Sequence, residues 1–297
     1  MKQSKFPRPV TLTLLIAALG MALVTSWGSG RASIANGQAR AKPAFKPTKF
    51  KPACANPTLP MPAPAKAPAI DSLCGLSGIG GATPEGVQDS VKNNFCAKGI
   101  PRAVSLADLT GLQSKVEANP AINFGSAGRG TRKKGPTINR APLQKLGEGK
   151  LVTLSKVYVL IARQEGGESV NCGKDVEGKP TVLDHDIHIS LVSSPNLDPA
   201  KDECSSVVAE MSPHYRPDSW THGNVERLAK AQLPVRVTGQ LYFDSSHFPC
   251  SGGKSAGQGN PSRVSLWEIH PIYKFEVCIA DCDGAGTWET LDKWAAK

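Results

Sequence analysis

Apolar and polar side chains alternate with a period of two through much of the C-terminal half of the chain. In Ser265–Cys278, Leu266, Glu268, His270 and Ile272 alternate with Trp267, Ile269 and Tyr273. A strand there turns large apolar groups to one side and sets a carboxylate beside an imidazole on the other. The run before it, Pro234–Asp244, reads as another strand and ends in Asp244-Ser245-Ser246-His247. Leu151–Arg163 is a long β-branched run. In Asp184–Val192, Asp184, Asp186, His188 and Ser190 share one face and His185, Ile187, Ile189 and Leu191 the other. Ser205–Met211 completes a first set of three strands. His222–Ala231 changes to helical spacing, with Val225, Leu228 and Ala229 on one side.

Three strands, a helix and two strands is the order of a five-stranded Greek-key barrel of the OB type, expected over residues 151–280. The fold class is therefore mainly β with added helices (α+β). Residues 281–297 read as a helical tail, Thr287–Trp294, whose tryptophans pack back on the barrel.

Upstream, the pattern predicts a small helical unit over residues 70–124. Thr83-Pro84-Glu85 opens one helix, with Val87, Val91 and Phe95 at four-residue spacing. Ser105-Leu106-Ala107-Asp108 starts a second like a capping box, with Leu106, Leu109, Leu112 and Val116 on one side. Two short helices bury little surface, so a bridge between Cys74 and Cys96, which flank the first, would staple them. Residues 36–69 are rich in proline, alanine and lysine and read as a solvated, extended linker.

Charge changes the picture through its distribution. The net charge is +10, and residues 1–69 hold ten Lys/Arg and no acid, so the remainder is neutral. The stretch 151–297 carries 14 basic and 19 acidic groups, which argues against nucleic acid as the partner of the barrel. Residues 1–35 have the pattern of an export signal: Lys2, Lys5 and Arg8 precede the apolar run Val10–Val24, and Ser33-Ile34-Ala35 is a cleavage site. The alternative is an uncleaved anchor, the only route to membrane contact; the run falls short of the ~20 residues that span a bilayer. A periplasmic or extracellular location follows.

Eight cysteines in an exported chain point to disulfides. Beside Cys74–Cys96, the spacing suggests Cys172–Cys204 and a bridge from Cys250 to Cys278 or Cys282, with Cys54 free or taking the remaining partner.

All six histidines lie beyond residue 184, and three stand near carboxylates: His188 with Asp186, His247 with Asp244, and His270 with Glu268. Brought together by a barrel, His188, His247 and His270 suit zinc or manganese, with Glu210 or Glu268 as general base. The competing reading has each pair as a satisfied polar contact and expects no cofactor. The Gly-rich basic stretch 125–150 holds Arg129, Arg132, Lys133 and Lys134, which suit an anion, although no strand and helix frame it as a phosphate loop.

Glu165–Cys172, Asp186-Ile187-His188-Ile189, Val207–Glu210, Val235–Gly239 through Phe243-Asp244 and His247, and Trp267-Glu268-Ile269-His270-Pro271 together resemble a group of exported bacterial proteins of unknown function, over about residues 70–280. The resemblance implies export and architecture. The strand order also resembles the staphylococcal-nuclease type of OB barrel, but an Asp-Gly-Asp-Thr stretch and a matching Arg and Glu pair are missing. Three functions remain: an envelope binding module for a saccharide, peptide or small anion; a metal-dependent, phosphodiesterase-like hydrolase; and a structural domain that docks an envelope protein partner.

Overall fold

The computed structural model describes residues 46–125, 138–164, 166–173, 184–255, 257 and 260–297. The export signal and the basic residues Arg129, Arg132, Lys133 and Lys134 lie outside them. No helix among the described residues is long and apolar enough to cross a membrane.

Seven strands build the sheet: β1 (Arg102–Val104), β2 (Leu151–Arg163), β3 (Ile187–Val192), β4 (Val207–Met211), β5 (Pro234–Phe243), β6 (Trp267–Ala280) and β7 (Thr287–Thr290). β2 pairs with β3, β3 with β4, β4 in parallel with β6, β6 with β5, and β5 back with β2, which closes a five-stranded mixed barrel. β1 and β7 are additions on β2 and β6. Gly239 serves this closure directly. A Cβ there would stand 2.4 Å from the Pro271 carbonyl oxygen, at the irregular register between β5 and β6.

The period of two decides what fills the barrel. Ile187, Ile189 and Leu191 from β3, Val207, Ala209 and Met211 from β4, Leu241 and Phe243 from β5, and Trp267 and Ile269 from β6 join one buried apolar cluster. The alternate residues on the same strands, Asp186, His188, Glu210, Tyr242, Asp244, Glu268 and His270, are also buried, yet none belongs to that cluster. They form the outer face, and it is covered.

The cover is built from segments that the sequence reads as a tether and a separate helical unit, and both expectations need correcting. Residues 44–297 form one compact unit. The prolines of the 46–69 segment do keep it extended, but Phe50 is buried and stacked on His214 at 3.8 Å between ring centroids. Its backbone is held as well: Phe50 N donates to Asp71 O and Met61 N to Tyr273 O. Helix α1 (Pro84–Lys92) starts at the Thr83 cap as expected, but it buries Gly86, Gln88, Asp89 and Lys92, a mostly polar face, while Val87 and Val91 stay half-buried. Helix α2 (Leu106–Ala118) keeps its Ser105–Asp108 capping box and buries Leu109 and Val116 in the barrel's own core.

The remaining helices are short or as expected: α3 (Ala141–Leu146), α4 (Pro199–Asp202), α5 (His222–Ala231), which lies between β4 and β5 and buries Val225 and Leu228, and α6 (Leu291–Ala295). The tail is half strand: β7 occupies Thr287–Thr290, where pairing with β6 prevails over helical spacing. Trp294 packs on the core and Trp288 lies beneath the Arg236 guanidinium.

The eight cysteines do form four disulfides, but none with the expected partner: Cys54–Cys96, Cys74–Cys172, Cys204–Cys250 and Cys278–Cys282. Two of these bridges fasten the cover, and Cys278–Cys282 is a local one across four residues. Cys54–Cys96 ties the extended segment to the end of α1, and Cys74–Cys172 ties it to the turn Ser169–Asn171. Four bridges fit an oxidising compartment.

Candidate functional site

The strand register brings the polar outer face together. His188 pairs with Glu210 across β3 and β4. Val208 and Ala209 of β4 pair with Glu268 and Ile269 of β6, which continues to Glu210 beside His270. Tyr242 of β5 pairs with Glu268. Asp186 enters from the residue before β3.

Glu210 is the hub. Its Oε1 lies 3.4 Å from His188 Nε2, and its Oε2 lies 2.7 Å from His270 Nδ1 and 3.3 Å from Lys92 Nζ. Lys92, carried in by α1, also stands 3.3 Å from Glu168 Oε2 and 4.0 Å from Asp186 Oδ2. Glu168 Oε1 is 2.8 Å from His188 Nε2. Glu210 is 1 % exposed, Asp186 1 %, His188 5 % and His270 0 %. Taking so many ionisable groups out of water costs several kcal/mol each unless they pair well, so the cluster is a poor device for stability alone.

Mutual fields set their protonation. Burial opposes the Lys92 ammonium, but Glu168, Glu210 and Asp186 outweigh it and hold the amine charged far above the ordinary lysine range. Burial likewise opposes the His188 imidazolium, yet Glu210 and Glu168 raise it to about 9. Burial pushes Glu210 up, while His188 and Lys92 prevail and keep it well below the carboxylate range. Asp186 behaves differently. Burial dominates over the attraction of His270 and lifts it to about 6.

Not every polar group here is satisfied. Among the described residues, neither oxygen of Asp186 has a hydrogen-bond donor and the Tyr242 hydroxyl has no hydrogen-bond partner. Burial raises the Tyr242 phenol far above its usual range. Its ring meets that of His270 edge to face at 5.8 Å.

A cleft of about 280 Å³ opens over this cluster. Glu85, Gln88, Asp89 and Lys92 of α1 form one wall, and Gly166–Val170 of the β2–β3 connection another. His188 reaches it from β3, and Asp244, Ser246, His247 and Asn260 from the β5–β6 connection. Val170 is the one apolar side chain among the described residues of the lining.

The expected metal set is therefore only partly assembled. His188 and His270 both contact Glu210, but His247 pairs with Asp244 through Nδ1 instead. Arg263 Nη1 lies 3.5 Å from Asp244 Oδ2 and is ion-paired with Glu268. Although burial favours the acid, His247 and Arg263 hold Asp244 ionised well below the usual carboxylate range. Glu268, fully buried against Arg263, does not line the cleft, and Glu210 faces Lys92 and two imidazoles rather than open solvent.

Two residues of the site escape sequence reasoning. Lys92 sits on a helix whose visible stripe is Val87, Val91 and Phe95, and Glu168 sits in a Gly-rich connection. The one signal for Lys92 is that Gln88, Asp89 and Lys92 share a helical face, a pattern that ordinarily means solvent. Comparison with protein-family models, with curated proteins and with solved structures finds no match.

Proposed function

We propose that this chain is an exported binding module with an OB-type barrel, and that its cleft takes a hydroxyl-rich ligand of the oligosaccharide class. The carrying observation is the position of the cleft. It is framed by the first interstrand connection (Gly166–Val170), the second barrel strand (His188) and the last connection (Asp244–Asn260), and OB barrels take oligomers across that face and those loops. The strand order, the parallel β4–β6 pair and α5 between β4 and β5 support the OB reading. Carboxylates, imidazoles, hydroxyls and amides in the lining match the hydrogen-bonding of sugars, and the acids disfavour a polyanion such as nucleic acid. Export rests on the signal-like N-terminus and the four disulfides.

The test is titration of the full chain with a panel of soluble envelope oligosaccharides, monitored by calorimetry and by amide NMR shifts. Saturable binding that shifts Gly166, Gly167 and His247 and is lost in Glu85→Gln/Asp89→Asn supports the reading. Shifts elsewhere, or no binding across the panel, refute it. A second reading, metal-assisted phosphoester hydrolysis, is favoured by three donors grouped at the cleft, Glu168 and His188 in its lining and Glu210 behind them. Phosphoester turnover that is abolished by chelator and restored by metal would establish it.

A further inference from the structure

One oxygen or nitrogen each from Glu168, His188 and Glu210 lie within 4.8 Å of one another. Two edges of that triangle are 2.8 Å, Glu168 Oε1 to His188 Nε2, and 3.4 Å, Glu210 Oε1 to His188 Nε2. Ligands about 2.0–2.1 Å from a tetrahedral zinc stand roughly 3.3 Å apart, so these edges need only small adjustments. We propose that Glu168, His188 and Glu210 form a site for one divalent cation, zinc or manganese, with its remaining coordination open to the cleft.

Two features favour a cation over a closed ion-pair network. The first is access. Glu168 and His188 line the cleft, which supplies the entry path and the open position that a wholly buried triad lacks. The second is the unmet demand behind the triangle: Asp186, 1 % exposed, has no hydrogen-bond donor to either oxygen among the described residues.

The neighbours have matching roles. Lys92 touches Oε2 of both Glu168 and Glu210, leaving each Oε1 on the His188 side. His270 at 2.7 Å from Glu210 Oε2 braces the same carboxylate from behind. Such outer partners orient a ligating group and tune its affinity. The ligand types, two carboxylates and one imidazole, suit zinc or manganese and disfavour soft metals. The site does not depend on which organic ligand enters the cleft, and metal binding is measured without one.

The test uses the full disulfide-bonded chain, purified without a histidine tag, stripped with chelator and titrated with zinc and with manganese by calorimetry. One ion per chain is expected, with affinity lowered at least about 100-fold in His188→Ala and in Glu168→Gln. His222→Ala controls for adventitious zinc on the exposed His222–Glu226 pair of α5. Cobalt substitution of the unmutated chain gives a readout that needs no variant: a visible d–d spectrum of four- or five-coordinate nitrogen and oxygen ligation is expected. Absence of stoichiometric binding to folded parent chain, or binding that survives both ligand substitutions, would overturn the proposal.

Discussion

Glu210 and His270 stand side by side on the parallel strands β4 and β6, with Glu210 Oε2 2.7 Å from His270 Nδ1, although 60 residues of chain separate them. The same carboxylate meets His188 and Lys92. One buried acid thus neutralises charge delivered by β3, β6 and α1. The cover and the barrel are joined through it.

Removing that acid should therefore be costly. Glu210→Gln leaves Lys92 and His188 underpaired in a dry environment, and breaking a buried pair typically costs about 3–5 kcal/mol. Urea unfolding of the variant should show a loss of that order. A loss below about 1 kcal/mol would mean that water already reaches the cluster.

Asp89 gives the stability a pH dependence of defined sign. Burial, opposed by Lys92 and the Ser169 hydroxyl, raises its pKa from 3.8 to about 7. Its contribution is fully present below the unfolded value and is lost as pH rises through about 7. Asp89→Asn should therefore be more stable than the parent at pH 8, by at most about 4 kcal/mol, with the difference vanishing toward pH 4. Thermal unfolding at the two pH values checks it.

Tyr242→Phe should stabilise. The hydroxyl is buried without a hydrogen-bond partner, and an unsatisfied buried polar group costs about 1–3 kcal/mol. Phenylalanine keeps the edge-to-face contact with His270. A destabilised variant would show that the hydroxyl is bonded in solution.

The Cys74–Cys172 bridge closes a separation of 98 residues and holds the turn next to Glu168. Paired replacement by serine should cost about 4–5 kcal/mol on the chain-entropy account. Hydrogen exchange should rise first at residues 168–172. Uniform weakening across the barrel would instead place the bridge's effect in the unfolded chain alone.

How much of this was legible depends on whether a signal is local. β2 is read at its observed bounds, α5 likewise, and β4, β5 and β6 within about two residues, because alternation and helical spacing are written in neighbouring side chains. β1, β7 and α3 carry too few residues for a period to show. Alternation puts Asp186 and His188 on one face and marks Glu210 as an acid on an apolar strand, and in the structure these meet His270. His247 is joined to Asp244 instead, three residues away.

The amino-acid sequence by itself determined the five barrel strands, the two main helices and the inner apolar face, since each follows from periodicity over a few residues. It also determined that the cysteines would bridge. Tertiary structure alone decided the rest: which cysteines pair, that the proline-rich segment from residue 46 lies on the barrel, and that a polar helix face is buried. These depend on contacts across long separations, such as Lys92 with Glu210 and Cys74 with Cys172. A charged residue looks solvent-facing until the fold supplies its partners, and Lys92 finds them in the β2–β3 connection and on β4.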